Sequence, residues 1–546
     1  MQQEPFKIVN TTNARERMLA GVELGYKAVS STFGPRSSNV AIKRPFGAPA
    51  VIHDGVKVFR SILPLEDQEM DAGAEIALEA STKTNDAAGD GTTQAAILIF
   101  EIAKAAHKYI TAGARPMALR SGIEIATEAV LAELDKLAVP IDVKKDADKL
   151  LMVATISAQT PDIGEMVSQA YAKLGSEAIL TVEESRSTDS SLELKQGMQF
   201  DKGWISPYFI SPDNKFGESV VEAPHILIVD TPLRDLEAFN QMLIKLADEE
   251  GIKKLVVIAD RYEIPVVAYF VKNHLKGAIQ GLMVEAPAFG EKRLDILRDI
   301  AIVTGGTVIS ESAGLGLDSV TRAMLGQAKR VAATKDTTLI VEGAGNKKAV
   351  NERIAEIREL VKNPDLSAFD REKLYERLAR MDSGVGVMSI GARSEPELKE
   401  RVERAIDAKS AAKAALSEGI VSGGGMAIIK AADTAKKALA DDKRLNDDFD
   451  VRSGANIVFE ACRAPFRKLL DNAGFDPGEY WAKLEGKPAG TGVDVMDGQI
   501  VDMIEAGIID PVMVIKAALA HASSAAVALS TSSTVVTMKL SDIKDV

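Results

Sequence analysis

Helical sequence at both ends of the chain, with a mixed helix and strand pattern between them, limits the folds open to these 546 residues. From 14 to 137, and again from 408 to 530, apolar residues recur mostly at spacings of three and four, which is typical of amphipathic helices. From 178 to 341, short β-rich runs such as ILIV at 226–229 alternate with helical segments. This pattern predicts either three consecutive domains or one domain that the chain leaves and completes later.

Composition argues against several functional classes. A net charge of -13 and a pI near 5.2 disfavour a nucleic-acid-binding surface, because a polyanion would be repelled. The single Cys462 cannot form an intramolecular disulfide, and the five histidines show no zinc-site spacing. No apolar run of about 18 residues appears, since Lys516 and His521 interrupt the best candidate, and the start has no secretion signal. We therefore expect a cytoplasmic protein that binds neither nucleic acid nor membrane.

The turn at 85–93 (NDAAGDGTT) combines an acid, two glycines and two threonines immediately before a predicted helix. Glycines let the backbone approach an anion, hydroxyls add donors, and the helix directs its positive dipole end at the site. Asp90 is then placed to hold a divalent cation. The same residues are also good N-cap chemistry for an ordinary loop. A P-loop is excluded as a simple interpretation, because the one Gly-Lys pair, at 486–487, is followed by proline.

Other motifs extend over nearly the whole chain. Short glycine-bearing segments are TFGP at 32–35, FGAP at 46–49, HDG at 53–55 and GGG at 423–425. Longer ones are LKQGMQFD at 194–201, APAFG at 286–290, GGTVIS at 305–310 and GQAKRV at 326–331. Together with the turn at 85–93, they resemble the group I chaperonins, the bacterial GroEL type, from about residue 8 to about residue 537.

This resemblance implies the multidomain chaperonin fold and selects the discontinuous organisation. A mainly α equatorial domain would comprise 1–136 and 418–546. A small α+β intermediate hinge domain would comprise 137–195 and 385–417. The α/β apical domain, which binds clients and a lid, would comprise 196–384.

The resemblance also implies an ATP site in which Asp90 holds Mg²⁺; a K⁺ ion is implied by the resemblance alone. Around the phosphates it places Thr32, Phe33, Gly34, Pro35, His53, Gly91, Thr92, Thr93 and Gln94. Around the ribose, the base and the mouth of the site it places Gly424, Asp494, Ile508, Asp510, Ile156 and Ser157. Without the resemblance, Asp510 before a proline would be a turn or helix start, and the GGG segment a plain loop.

Hydrolysis needs a carboxylate that orients or deprotonates a water molecule. Asp407, on a predicted helix of the intermediate domain, matches the hydrolytic aspartate of the family, and Asp54 is the second carboxylate. As a lone acid on an amphipathic helix, Asp407 would more often be a solvated surface residue. Two departures bear on turnover: His53 stands where the family usually has lysine, and Gln94 replaces a third threonine. A histidine is largely neutral at physiological pH, so ATP binding or turnover could be weakened.

Apolar stripes on two predicted helices of the apical domain are candidates for client binding. The resemblance implies that they are exposed at the rim of a ring, whereas the alternative is that they pack into the core of their own domain. Asn240 and Lys272 interrupt them with polar groups. The candidate residues are Leu236, Phe239, Leu243, Val267, Phe270 and Val271, with Trp204, Tyr208 and Phe209 nearby.

The predicted function is that of an ATP-dependent chaperonin, an ATPase whose homo-oligomeric ring binds non-native proteins and promotes their folding. The resemblance implies a heptameric ring, single or double, and a co-chaperonin lid as a further partner. Two alternatives stay open: a chaperonin-like scaffold with weak or lost ATP turnover, and a nucleotide-dependent small-molecule transferase. The oligomeric state would separate the transferase, since a monomer or dimer cannot enclose a client.

Overall fold

The computed structural model describes residues 6–538 apart from 11, 44–49, 53, 177, 186, 211–216, 363–370, 372, 375–376, 379, 382–383 and 489. The chain forms two compact units. The first comprises Met1–Ala172, Glu184–Ser190 and Ile390–Val546, and the second comprises Lys173–Glu183 and Ser191–Ser389. The first unit is thus built from both ends of the chain. The finer division into three domains stays a prediction.

Helices dominate the described part of the chain. In order, they are α1 Thr12–Val29, α2 Gly55–Ser61, α3 Gln68–Ala88, α4 Thr92–Thr111, α5 Pro116–Leu137, α6 Ala147–Ala158, α7 Pro161–Leu174, α8 Leu236–Ile244, α9 Ile264–Leu275, α10 Glu291–Thr304, α11 Lys347–Val361, α12 Glu395–Glu418, α13 Met426–Ala438, α14 Lys443–Asn446, α15 Phe449–Ala461, α16 Ala464–Ala473, α17 Pro477–Leu484 and α18 Val512–Thr531.

Strands concentrate in the second unit. In order, they are β1 Phe6–Asn10, β2 Val40–Ile42, β3 Ala50–Ile52, β4 Ile179–Glu184, β5 Ser191–Phe200, β6 Ser219–Glu222, β7 His225–Val229, β8 Lys254–Ala259, β9 Gln280–Glu285, β10 Val308–Ile309, β11 Gly326–Ala333, β12 Thr338–Gly343, β13 Gly384–Ile390, β14 Ile420–Ser422, β15 Thr491–Asp494, β16 Gln499–Asp502, β17 Ile509–Pro511 and β18 Thr534–Met538.

The first unit is a helical body whose core is formed by α1, α3, α4, α5, α13, α15 and α18. Helix α18 packs against α3, α4 and α5, and antiparallel pairing of β1 with β18 joins the two ends of the chain. Among the described residues, α18 is the one helix long and apolar enough to cross a membrane by length and composition, and 61% of that stretch is buried inside the protein. Buried core helices pass the same test, and α18 is one of them.

The second unit is built on a mixed sheet with the order β4-β13-β5-β12-β11-β7-β8-β9. The β7-β8-β9 end of this sheet is parallel and buried, with Val256 of β8 opposite Ile226 of β7 and Leu282 of β9. Such continuous apolar strands require cover on both faces. Helices α8, α9 and α10 supply apolar side chains to the same core, which gives this unit an α/β architecture.

Candidate functional site

Two glycines bracket Asp90 in the turn that joins α3 to α4. Gly89 (φ 69°) ends α3 and Gly91 (φ 84°) precedes α4, both in the left-handed region that favours glycine. The amide of Gly91 donates to Asp90 Oδ1 over 2.6 Å, and Ser157 on α6 donates from Oγ to Oδ2 over 3.4 Å. One carboxylate is therefore fixed at the start of a 20-residue helix, where the first N–H groups have no partner within the helix.

The loop after α1 is held against the start of α4. Thr32 Oγ1 lies 3.4 Å from Thr93 Oγ1. Asn472 on α16 donates from its side-chain amide to the carbonyl oxygens of Ser30 and Phe33, each over 2.8 Å. These bonds fix the loop backbone, so two predicted phosphate-binding segments from distant parts of the sequence become neighbours.

The remaining phosphate candidates lie as follows. Gly34 continues the loop with a φ of 93°, and Pro35 after it is exposed. Gln94 is buried in the first turn of α4. His53 lies outside the described residues, so its predicted place beside the phosphates stays a prediction.

The start of α2 packs against the threonine hydroxyls of α4. Asp54 is the N-cap of α2, and its Oδ1 accepts from the amide of Val56 over 2.8 Å. A Cβ atom on Gly55 would lie 2.3 Å from Thr93 Oγ1 and 3.1 Å from Thr92 Oγ1. The close packing brings the Asp54 loop to the same end of α4 as Asp90.

Helix α12 also packs against the turn that carries Asp90. A Cβ atom on Gly89 would lie 2.1 Å from the Cβ of Ser410, so the turn backbone packs directly against α12. Asp407 lies three residues before Ser410 on the same helical face. Its carboxylate interacts electrostatically with those of Asp90 and Asp54. The structure therefore brings the three predicted acids together.

Clustering of carboxylates makes this site strongly anionic. Burial raises the pKa of Asp407 well above its ordinary value, the charges of Asp90 and Asp54 raise it further, and Lys57 opposes the rise. Burial likewise raises the pKa of Asp90, although hydrogen bonds to its carboxylate oppose this. The pKa of Asp510 rises to about 6 through burial and the charge of Asp90. A bound cation would relieve this repulsion.

The predicted ribose and base residues come together through a short pair of strands. Strand β14 pairs with β17, with Val421 opposite Asp510. The amide of Gly423 donates to the carbonyl of Ile508 over 2.9 Å. Gly424 follows with a left-handed φ of 63°. This glycine turn therefore lies beside Ile508 and Asp510, as the proposed nucleotide site requires.

Met503 connects that turn with the strand that carries Asp494. A Cβ atom on Gly424 would lie 2.6 Å from Met503 Cε, and one on Gly492 in β15 would lie 2.6 Å from Met503 Sδ. Asp494 ends β15, and its Oδ1 accepts from the amide of Met496 over 2.8 Å. Asp494 therefore caps a turn near the glycine segment, and its contact with ribose stays a prediction.

The donor set fits Mg²⁺ bound together with a nucleotide. Among the described residues, no group of three or more His, Cys, Asp or Glu side chains could hold a metal ion. Mg²⁺ is usually bound by one or two carboxylates plus substrate phosphates and water, which matches Asp90 at a helix N-terminus. At the predicted mouth, Ile156 is exposed on α6 next to Ser157.

Several residues of this site were not anticipated from the sequence. Lys57 and Glu403 form an ion pair of 2.6 Å beside the three acids, Asn472 fixes the first phosphate loop, and Met503 packs against the GGG turn. Lys57 lies three residues after the N-cap Asp54, which could have placed it on the site. Glu403 lies four residues before Asp407 on the same helix, which is a similar signal, whereas nothing in the local sequence identifies Asn472 or Met503.

Most of the predicted client-binding side chains are buried in the core of the second unit. The rings of Phe239 and Phe270 pack edge to face with centroids 5.9 Å apart, and neither is exposed. For this group, the prediction of an exposed apolar surface is corrected: the alternative, packing within the domain core, holds because each side chain is buried in the core that the strands and helices of this unit share. The buried members are Phe209, Phe239, Leu243, Phe270 and Val271.

The other four candidates keep accessible surface. Tyr208 is 64% exposed and Leu236 is 36% exposed, while Val267 is half-buried. Trp204 is also half-buried, and its Nε1 donates to the carbonyl of residue 217 over 2.9 Å. Ile264, at the start of α9, is 82% exposed and was not anticipated.

Comparison with known proteins gives the same family along almost the whole chain. The model of the TCP-1/cpn60 chaperonin family matches residues 26–539. The chaperonin gp146 from the bacteriophage EL 2 (Pseudomonas aeruginosa), crystallised in the presence of ATP-BeFx, is similar in two crystal forms. Form II has a TM-score of 0.71 at 21% identity, and form I has a TM-score of 0.64 at 20% identity. Each comparison covers 97% of this chain and 99% of the phage protein.

The structural likeness, at this identity, concerns the fold, and it confirms the predicted chaperonin fold with its helical and α/β parts. The family match confirms the resemblance drawn from the motifs. Members of the family are in general ATPases that form rings and bind client proteins. This chain belongs to the TCP-1/cpn60 chaperonin family.

Proposed function

We propose that this chaperonin hydrolyses ATP and uses the hydrolysis cycle to bind non-native proteins in a ring cavity and promote their folding. The observation that best supports the proposal is the convergence of Asp407, Asp90 and Asp54 on the glycine-threonine turn of the first unit. These acids come from three separate parts of the sequence. Because the charges of clustered carboxylates repel one another, such a cluster destabilises the folded protein. Its presence favours a role in holding a cation or in catalysis.

The phosphates of ATP would bind at the start of α4. Free N–H groups and the helix dipole attract an anion there, and the hydroxyls of Thr92 and Thr93 add donors. The hydroxyl of Thr32 donates to the carbonyl of Val29, so the loop at 32–35 would approach the phosphates through its backbone. The glycine turn at Gly424, beside Asp510, would receive the ribose and base. Mg²⁺, when bound through Asp90, supplies positive charge to the phosphate oxygens.

Asp407 acts on the attacking water. The water oxygen bonds to the γ-phosphorus, the bond from that phosphorus to the β-γ bridging oxygen breaks, and the proton of the water passes to the carboxylate of Asp407. A carboxylate with a raised pKa is a stronger base than an exposed one, and burial gives Asp407 this property. Asp54 orients the water from the opposite loop.

Clients would bind to apolar side chains of the second unit that keep accessible surface. These are the exposed Tyr208, Leu236 and Ile264, together with the half-buried Val267. The proposed partners are a heptameric ring of identical chains, single or double, non-native proteins and a co-chaperonin lid. A K⁺ requirement and a cytoplasmic location stay predictions from the resemblance and the composition.

ATP hydrolysis by the purified protein, measured with and without Mg²⁺, tests the proposal together with native mass spectrometry of the assembly. We expect Mg²⁺-dependent phosphate release that Asp407→Ala lowers by roughly two orders of magnitude, and a ring-sized particle. A monomer or dimer would contradict the ring. A ring with no ATP turnover would instead favour a scaffold that has lost hydrolysis.

A further inference from the structure

Lys57 places a positive charge at the edge of the carboxylate cluster. Its Nζ lies 2.6 Å from Glu403 Oε1 on α12 and 3.5 Å from Asp54 Oδ2, on the N-cap of its own helix. Its side chain is 34% exposed, and those of Glu403 and Asp54 are each 29% exposed. Partial burial shields these charges from solvent, so the ion pair has more effect than a fully exposed one.

Glu403 and Asp407 lie four residues apart on α12. At about 1.5 Å rise per residue they are separated by about 6 Å along the axis and share one face of the helix. Asp407 faces four charged groups in the described part of the chain: Asp90, Asp54, Glu403 and Lys57. Three are acids, and Lys57 is the one cation among them.

We propose that Lys57 is a positioning residue for ATP hydrolysis, which by pairing with Glu403 holds α12 against the start of α2 and sets Asp407 opposite the phosphates. Without this bond, repulsion from Asp90 and Asp54 drives the Asp407 end of α12 away from the turn. Close packing of Gly89 on Ser410 limits that displacement but does not orient the carboxylate. This inference rests on the proposed ATPase function.

The test compares ATP turnover and ATP affinity in variants of the full-length protein. Lys57→Met removes the charge and keeps the length of the side chain, Glu403→Gln removes its partner, and Lys57→Arg keeps the charge. We expect kcat to fall about tenfold in the first two, with the Kd for Mg-ATP changed less than about twofold; tenfold corresponds to about 1.4 kcal/mol at the transition state. Lys57→Arg should recover most of kcat, and the double variant should be no slower than either single one.

Lys27→Met is the matched control, because it removes another lysine–glutamate pair, with Glu23 on α1, that is exposed to solvent. It should hydrolyse ATP like the parent. The inference is overturned by a Lys57→Met variant with unchanged kcat, or by one whose Kd rises as much as its kcat falls, which would make Lys57 a ligand of the nucleotide. If Lys57→Met does not fold, Glu403→Gln and Lys57→Arg decide. A parent protein without ATPase activity overturns the proposed function itself, which separates the two failures.

Discussion

A Cβ atom on Gly55 would lie 2.3 Å from the hydroxyl oxygen of Thr93, so the first turn of α2 is in direct contact with the first turn of α4. The two turns come from separate parts of the sequence. In the proposed site, both face the phosphates. The absence of a side chain at position 55 therefore sets how closely the Asp54 loop approaches the threonine hydroxyls.

Gly55→Ala should weaken ATP binding. The added methyl group forces Thr93 to rotate, which removes one hydroxyl donor from the phosphates and leaves the fold intact. We expect the Kd to rise about tenfold, the loss of one good hydrogen bond to a charged group. Calorimetric titration measures it. Gly277→Ala in the second unit is the control: its left-handed backbone (φ 71°) strains alanine, but a Cβ there meets nothing within 4 Å, so the Kd should not change. An unchanged Kd in Gly55→Ala would contradict the packing argument.

Asp407→Ala and Asp90→Ala should separate hydrolysis from binding. Removal of the proposed base should lower kcat by roughly two orders of magnitude, with the Kd for Mg-ATP nearly unchanged. Removal of the proposed Mg²⁺ ligand should raise the Kd itself. Steady-state phosphate release and nucleotide titration on both variants distinguish the roles. Equal turnover in Asp407→Ala and the parent would remove Asp407 from the mechanism.

Asp510 should make the nucleotide-free protein less stable as pH rises. Its folded-state pKa of about 6 exceeds the ordinary value of 3.8, so the folded state holds the proton more tightly. This contribution to stability is present below about pH 4 and is lost as pH rises through about 6. The free energy of unfolding falls by roughly 3 kcal/mol at most over this range.

Asp510→Asn should therefore raise the melting temperature of the first unit at pH 7.5 and make that melting temperature depend less on pH between 4 and 7. Scanning calorimetry without nucleotide, with the exposed Asp441→Asn as control, checks this; parallel curves would contradict it.

Ile264→Ser and Phe239→Ser should give opposite results. Ile264 is 82% exposed, so its replacement should reduce capture of an unfolded client and leave thermal stability almost unchanged. Phe239 is fully buried, and its replacement should destabilise the second unit by about 3–5 kcal/mol, as buried large-to-small changes do. Light scattering of an aggregating client and thermal melts measure the two effects. Normal capture by Ile264→Ser would exclude that side chain from the client surface.

Local chemistry alone predicts the backbone of the proposed nucleotide site around Asp90. Glycines at 89 and 91 tolerate a left-handed backbone, and the threonines after them begin a helix. Asp90 lies between the two glycines, so its carboxylate lies at the N-terminus of that helix. The chaperonin family could likewise be recognised, because its motifs occur along the whole chain. These features depend on residues a few positions apart, and their spacing fixes their geometry.

Only the tertiary structure decided which face of each helix is buried in the core and which charged groups, distant in the sequence, lie close together. An apolar stripe on α8 or α9 predicts one buried face but not what covers it, and packing against the sheet buried Phe239 while leaving Ile264 in solvent. The pairing of Lys57 with Glu403, and the approach of Asp407 to Asp90, depend on how α12 lies against α2 and α4. Spacing along a chain fixes neighbours within one helix, whereas contacts between helices follow from how their buried faces fit together.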